Sequence, residues 1–160
     1  MIILKASVPE SDLIRQSFTL RILDLPPEVK STKRSLLRWF ALSTGLISEN
    51  ESRLTILDIL DSLFYFNFSK KTKPNVLQLR SRLKEKFKTD VSEKLLRYHL
   101  NRLINLKLIE RKKNAYCFLN SPYASTSNVQ ASFDYHLTQP LNKRLGDISN
   151  VYQKIADSYK

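Results

Sequence analysis

The clearest pattern in the chain is a set of apolar positions recurring at steps of three and four. Leu54, Leu57, Leu60 and Phe64 form one such stripe, widened by Ile56, Ile59 and Leu63. So broad an apolar face predicts a helix at the centre of a core. The tetrapeptide Ser48-Glu49-Asn50-Glu51 has capping-box spacing and is expected to open that helix. Phe64-Tyr65-Phe66-Asn67-Phe68 either continues it or switches to an extended segment. Val76, Leu79, Leu83 and Phe87 mark a second helix, with Pro74 near its start, where a missing N–H costs nothing. Leu96, Leu100 and Leu103 mark a third, over residues 92–104, with Ser92 as its N-cap. The pattern then changes. Leu108-Ile109-Glu110-Arg111-Lys112-Lys113 and Ala115-Tyr116-Cys117-Phe118-Leu119 read as two strands around a tight turn near Asn114.

Both flanks are partly legible. Ser31 or Thr32 can cap a helix over about residues 32–44, which Gly45 is placed to end. Residues 1–5 suit a short strand. Residues 17–25 (SFTLRILDL) alternate at Phe18, Leu20 and Ile22, but a helix through residues 12–22 fits nearly as well, and Pro26-Pro27 ends either. Residues 121–140 open on a polar, turn-rich stretch and read as a linker. From Leu141 a last helix carries Leu145, Ile148, Tyr152, Ile155 and Tyr159 on one face. The expected fold is mainly α with a small β-hairpin (α+β). Its parts are an N-terminal extension (1–47), a central domain (48–120), the linker, and a C-terminal helix (141–160).

Charge adds direction. Twenty-seven Lys+Arg against 15 Asp+Glu give a net +12, a field that attracts polyanions. The two glycines, Gly45 and Gly146, lie far apart, which excludes a P-loop or a dinucleotide fingerprint. The single cysteine and two histidines offer no disulfide and no metal cluster. No apolar run approaches the ~18–20 residues of a spanning helix, and the N-terminus does not read as a secretory signal. A cytoplasmic protein without a membrane partner, metal or cofactor is expected. No nucleophile–base–acid set stands out, so no enzymatic activity is expected.

The order helix, helix, short turn, helix, hairpin is that of a winged helix-turn-helix. SEKLLRYHLNRLINLKLIERKKNAYCFL resembles the recognition-helix-plus-wing segment of ArsR-like and related archaeal and bacterial winged-helix regulators. Tyr98-His99-Leu100-Asn101-Arg102-Leu103 and Leu108-Ile109-Glu110-Arg111 carry the likeness, which covers less than half of the chain. It differs at the bend, usually Gly, where Asn105 or Lys107 has to turn left-handed. The resemblance implies a regulator of double-stranded DNA and puts its contact positions on Glu93, Lys94, Arg97 and Tyr98.

The residues themselves fit that chemistry. With Leu96, Leu100 and Leu103 facing the core, Lys94, Arg97, Tyr98 and Asn101 point away from it. Arg can bond guanine bidentately and Asn adenine in a major groove. Arg111, Lys112 and Lys113 at the hairpin tip suit flanking phosphates or the minor groove. Lys70, Lys71 and Lys73 can add backbone contacts. The competing reading treats all of these as solvated surface charges, and the domain as a protein-docking module of a transcription or replication assembly. Glu93, which repels phosphate, leans that way. His99 and Cys117 read as packing residues and Trp39 as core or interface. Leu145, Ile148, Tyr152 and Ile155 are expected to pair the last helix with a second copy in a homodimer, or else to fold it back on its own domain.

Overall fold

In the computed structural model, residues 9–17 and 19–160 are described. The strand expected at residues 1–5 lies outside them. The chain divides into two compact units, Met1–Leu57 and Asp58–Lys160.

The first unit is built on α2 (Lys33–Ser43), preceded by the single turn α1 (Glu10–Leu13) and a 3-10 turn at Pro27–Ser31. Thr32 caps α2: the Ser35 N–H donates to Thr32 Oγ1 at 3.0 Å, and Ser35 Oγ accepts from the Thr32 N–H. This satisfies donors that the first helical turn leaves open. Gly45 ends the helix at φ 75, where a Cβ would stand 2.7 Å from Thr19 Cβ. Residues 19–25 are neither the strand nor the helix that their pattern allowed. They lie along the end of α2, held by polar contacts: the Arg21 N–H donates to the Ser43 carbonyl at 2.9 Å, and its guanidinium to those of Leu42 and Ile47. The Trp39 indole donates to the Asp24 carbonyl at 2.7 Å. A segment held by backbone carbonyls needs no apolar period, which is why its pattern is ambiguous.

The next helix, α3 (Thr55–Phe64), begins later than its sequence signal. The Ser48 N–H does bond Glu51 Oε2 at 2.9 Å, but the Glu51 N–H returns to the Ser48 carbonyl and closes a free-standing turn. The motif is satisfied three residues at a time and does not require a helix to follow. The aromatic run after Phe64 continues α3 as a wide turn (Tyr65–Ser69), in which the Lys70 N–H reaches back five residues to Tyr65.

In the second unit, α4 (Val76–Phe87) is capped by Asn75 and α5 (Glu93–Asn105) by Ser92. Strands β1 (Ile109–Lys112) and β2 (Ala115–Phe118) pair antiparallel, with Ile109 opposite Phe118 and Lys112 opposite Ala115. The Tyr116 N–H donates to the Pro74 carbonyl, and Asn75 bridges Ala115, so the entry to α4 extends the hairpin on its β2 side. Leu60, Leu63, Leu79, Leu83, Leu96, Leu100, Leu103, Ile109 and Tyr116 form the buried core. Phe64, Phe68 and Phe118 pack ring against ring at its edge, with centroids 4.5–5.8 Å apart. Among the described residues the fold is mainly helical with one small hairpin.

The expected linker is only partly one. A helix starts at α6 (Val129–Phe133), widens through Asp134–Thr138, and runs on as α7 (Gln139–Asp157). Pro140 explains the wide turn. Proline has no N–H and its ring collides with a carbonyl one turn back. Here the Gln139 N–H bonds the Asp134 carbonyl, five residues back, and the helix passes the proline unbroken. His136 Nε2 lies 3.0 Å from the Asn120 carbonyl, tying this segment to the exit from β2.

Candidate nucleic-acid interface

The geometry of α5 follows from its cap and its leucines. Ser92 Oγ accepts from the Leu95 N–H at 3.1 Å. Leu96, Leu100 and Leu103 are fully buried, so the opposite face is turned to solvent. Lys94, Tyr98 and Asn101 are exposed there and Arg97 partly so, at the i, i+3, i+4, i+7 spacing of one helical stripe. His99 is half-buried, as expected of a packing residue.

Arg97 is not free. Its Nε and Nη2 both donate to Glu93 Oε1, at 3.1 and 2.9 Å. An exposed i,i+4 pair contributes only about 0.3–0.5 kcal/mol, so a stronger acceptor can take the guanidinium over. Glu93 stood out in the sequence as an awkward charge. Its role as the partner of Arg97 is the part that went unread, although the four-residue spacing carries that signal. The Arg102 guanidinium stands 5.9 Å from the Tyr98 ring.

The hairpin joins α5 through Lys107, which takes the left-handed conformation (φ 61). The Lys107 N–H bonds Ile104 and the Leu108 N–H bonds Leu103, closing the helix end as a glycine usually does. Lys113 (φ 50) and Asn114 (φ 65) then make the mirror-image turn that two-residue hairpins favour. Arg111 Nη2 donates to Asn114 Oδ1, bracing the turn. Lys112 Nζ lies 2.8 Å from Glu110, whose hydrogen bond and charge raise the lysine's pKa further. Arg111, Lys112 and Lys113 are all exposed.

The loop before α4 reaches the same region. Lys71, Lys73 and Lys112 line one concavity of about 490 Å³ with Asn67, Asn120 and Phe118. The bond from Tyr116 to Pro74 fixes the loop beside the strand. The sequence offered these lysines without a place to act. Cys117 is buried below, with its Sγ 3.8 Å from Glu110 Oε1. Burial raises its pKa first and the Glu110 carboxylate adds to this, against Lys73 and Lys112.

The last helix presents a different surface. Leu145, Ile148, Tyr152 and Ile155 are 52, 64, 78 and 54 % exposed, and every residue from 142 to 160 is exposed. Among the described residues no cluster of His, Cys, Asp and Glu could hold a metal, and no helix is long and apolar enough to cross a membrane. No family model matches this chain, and neither a curated protein nor a solved structure does.

Proposed function

We propose that residues 48–120 are a winged helix-turn-helix that binds double-stranded DNA, and that the protein is a non-enzymatic, homodimeric regulator. In this reading α5 enters the major groove. Arg97 and Asn101 address base edges, Lys94 and Tyr98 stand beside them, and the Arg111–Lys113 tip holds flanking backbone or the minor groove. One observation carries the reading: the solvent face of α5 holds Lys94, Arg97, Tyr98 and Asn101 in a single stripe, and the hairpin that follows exposes Arg111, Lys112 and Lys113 at its tip beside Asn114. The Lys71/Lys73/Lys112 concavity adds positive charge at the hairpin. The pairing of Arg97 with Glu93 favours the second reading, a docking module for another protein, because a committed arginine presents less free charge.

The test is a gel shift with random-sequence duplex across a range of salt. Binding is expected at low salt and should weaken with a log–log slope of about −0.9 per phosphate contact. Arg97→Ala with Arg111→Ala should abolish the shift. Glu93→Gln should strengthen it several-fold, because it frees Arg97 and removes a charge that repels phosphate. No binding at low salt, together with a single protein co-purifying in equal amount, would transfer the assignment to docking.

A further inference from the structure

The solvent-facing side of α7 carries a regular apolar stripe. Its apolar positions are the half-buried Leu141 and the exposed Leu145, Ile148, Tyr152 and Ile155, at steps of 4, 3, 4 and 3, with Tyr159 in the turn beyond the helix end. Alternating steps of four and three are the a and d spacing by which two helices pair in a coiled coil. Leu145 and Tyr152 occupy a positions, and Leu141, Ile148 and Ile155 occupy d positions.

We infer that α7 pairs with α7 of a second copy as an antiparallel coiled coil centred on Asn150, an inference that rests on the homodimer reading above. Three observations select this arrangement. First, the seam is symmetric about residue 150. Reversing one helix sets Leu145 against Ile155 of the second copy and Ile148 against Tyr152. Each of these a positions then meets a d position, and Tyr152 meets an aliphatic side chain. A parallel pair stacks Tyr152 on Tyr152 and puts isoleucine at d, where parallel two-stranded coils favour leucine. Second, Lys143 and Arg144 lie near one end of the coil. An antiparallel partner brings the C-terminal end of its own helix, the negative end of its dipole, to that level, whereas a parallel partner brings a second Lys143 and Arg144. Third, the residues beside the seam are Asn142, Ser149, Ala156, Val151 and Ser158, with Arg144 as the one charge. Flanking ion pairs, the usual device for fixing a parallel register, are therefore missing, and the apolar complementarity sets the direction.

The test uses the full chain with single cysteines at two seam positions. Leu145→Cys and Ile155→Cys are made in chains carrying tags of different size. Both sites are exposed, so folding should survive, and Cys117 is buried. Under mild oxidation the mixture should give a disulfide-linked heterodimer, because positions 145 and 155 face each other. Leu145→Cys alone should give little linked product. The opposite result, efficient linking of Leu145→Cys to itself and none in the mixture, would overturn the antiparallel arrangement. A wild-type mass of one chain at tens of micromolar in sedimentation equilibrium would overturn the pairing itself. Duplex binding is read separately by gel shift, so a monomer that still shifts DNA leaves the proposed function in place. Ile148→Asp should halve the wild-type mass and leave the helical circular dichroism of the two units unchanged.

Discussion

Single positions with unusual backbone give the sharpest expectations. Gly45 combines φ 75 with a Thr19 side chain at 2.7 Å from where a Cβ would sit. Gly45→Ala meets both a left-handed penalty of about 1–2 kcal/mol and a clash against the segment that Arg21 anchors. Its melting temperature should fall by several degrees. Lys107 is the converse case, a left-handed lysine where glycine fits. Lys107→Gly should stabilise by about 0.5–1 kcal/mol, read as a raised denaturation midpoint at unchanged slope. Both positions were legible beforehand, Gly45 as a helix stop and the bend at residues 105–107 as a glycine site without its glycine. Cys117 gives a pH expectation. Its folded pKa is raised by burial, so its contribution is complete below the unfolded value, near 8.5, and declines as pH rises through the folded one. Native thiol labelling should be slow at pH 8 and should accelerate only with denaturant. Fast labelling without denaturant would contradict a buried, protonated thiol.

At the scale of elements, what could be read depended on how each element is held. Helices α4 and α5 and the hairpin are held by apolar faces at fixed periods, and their caps, Asn75 and Ser92, stand where the pattern requires. Removing the hydroxyl in Ser92→Ala should cost about 1 kcal/mol, since the Leu95 N–H loses its acceptor. Two boundaries were not legible. The Ser48–Glu51 box is a purely local bond pattern that a turn satisfies as well as a helix. The last helix starts at Val129 rather than near Leu141, because a five-residue backbone step carries it past Pro140. Gly146 lies inside α7 with nothing within 4 Å of where its Cβ would be. Gly146→Ala should therefore add up to about 1 kcal/mol of helix propensity. In a coiled coil this position lies away from the seam, so the variant should tighten self-association rather than disrupt it.

For the whole molecule, the pairing proposed for α7 would set a spacing on DNA. The sequence left two occupants open for the stripe, a second copy or the chain's own domain, because an apolar helix face has the same pattern in either case. In an antiparallel pair centred on Asn150, the two Leu141 positions would lie about 27 Å apart at 1.5 Å per residue. The two proposed DNA-binding domains would then leave the coil at opposite ends. A parallel coil would release both from the same end, about 10 Å apart. Two α5 helices on one face of a duplex need centres separated by about 34 Å or a multiple of it. Selection from a random duplex library should then yield inverted half-sites with centres one full turn or more apart. Inserting five base pairs between the halves should lower affinity by at least tenfold, by turning one half-site to the far side of the duplex, and inserting ten or eleven should restore much of it. Ile148→Asp should lose this dependence on spacing and bind a single half-site as weakly as either half alone. Equal affinity at every spacing would mean that α7 does not couple the two units on DNA.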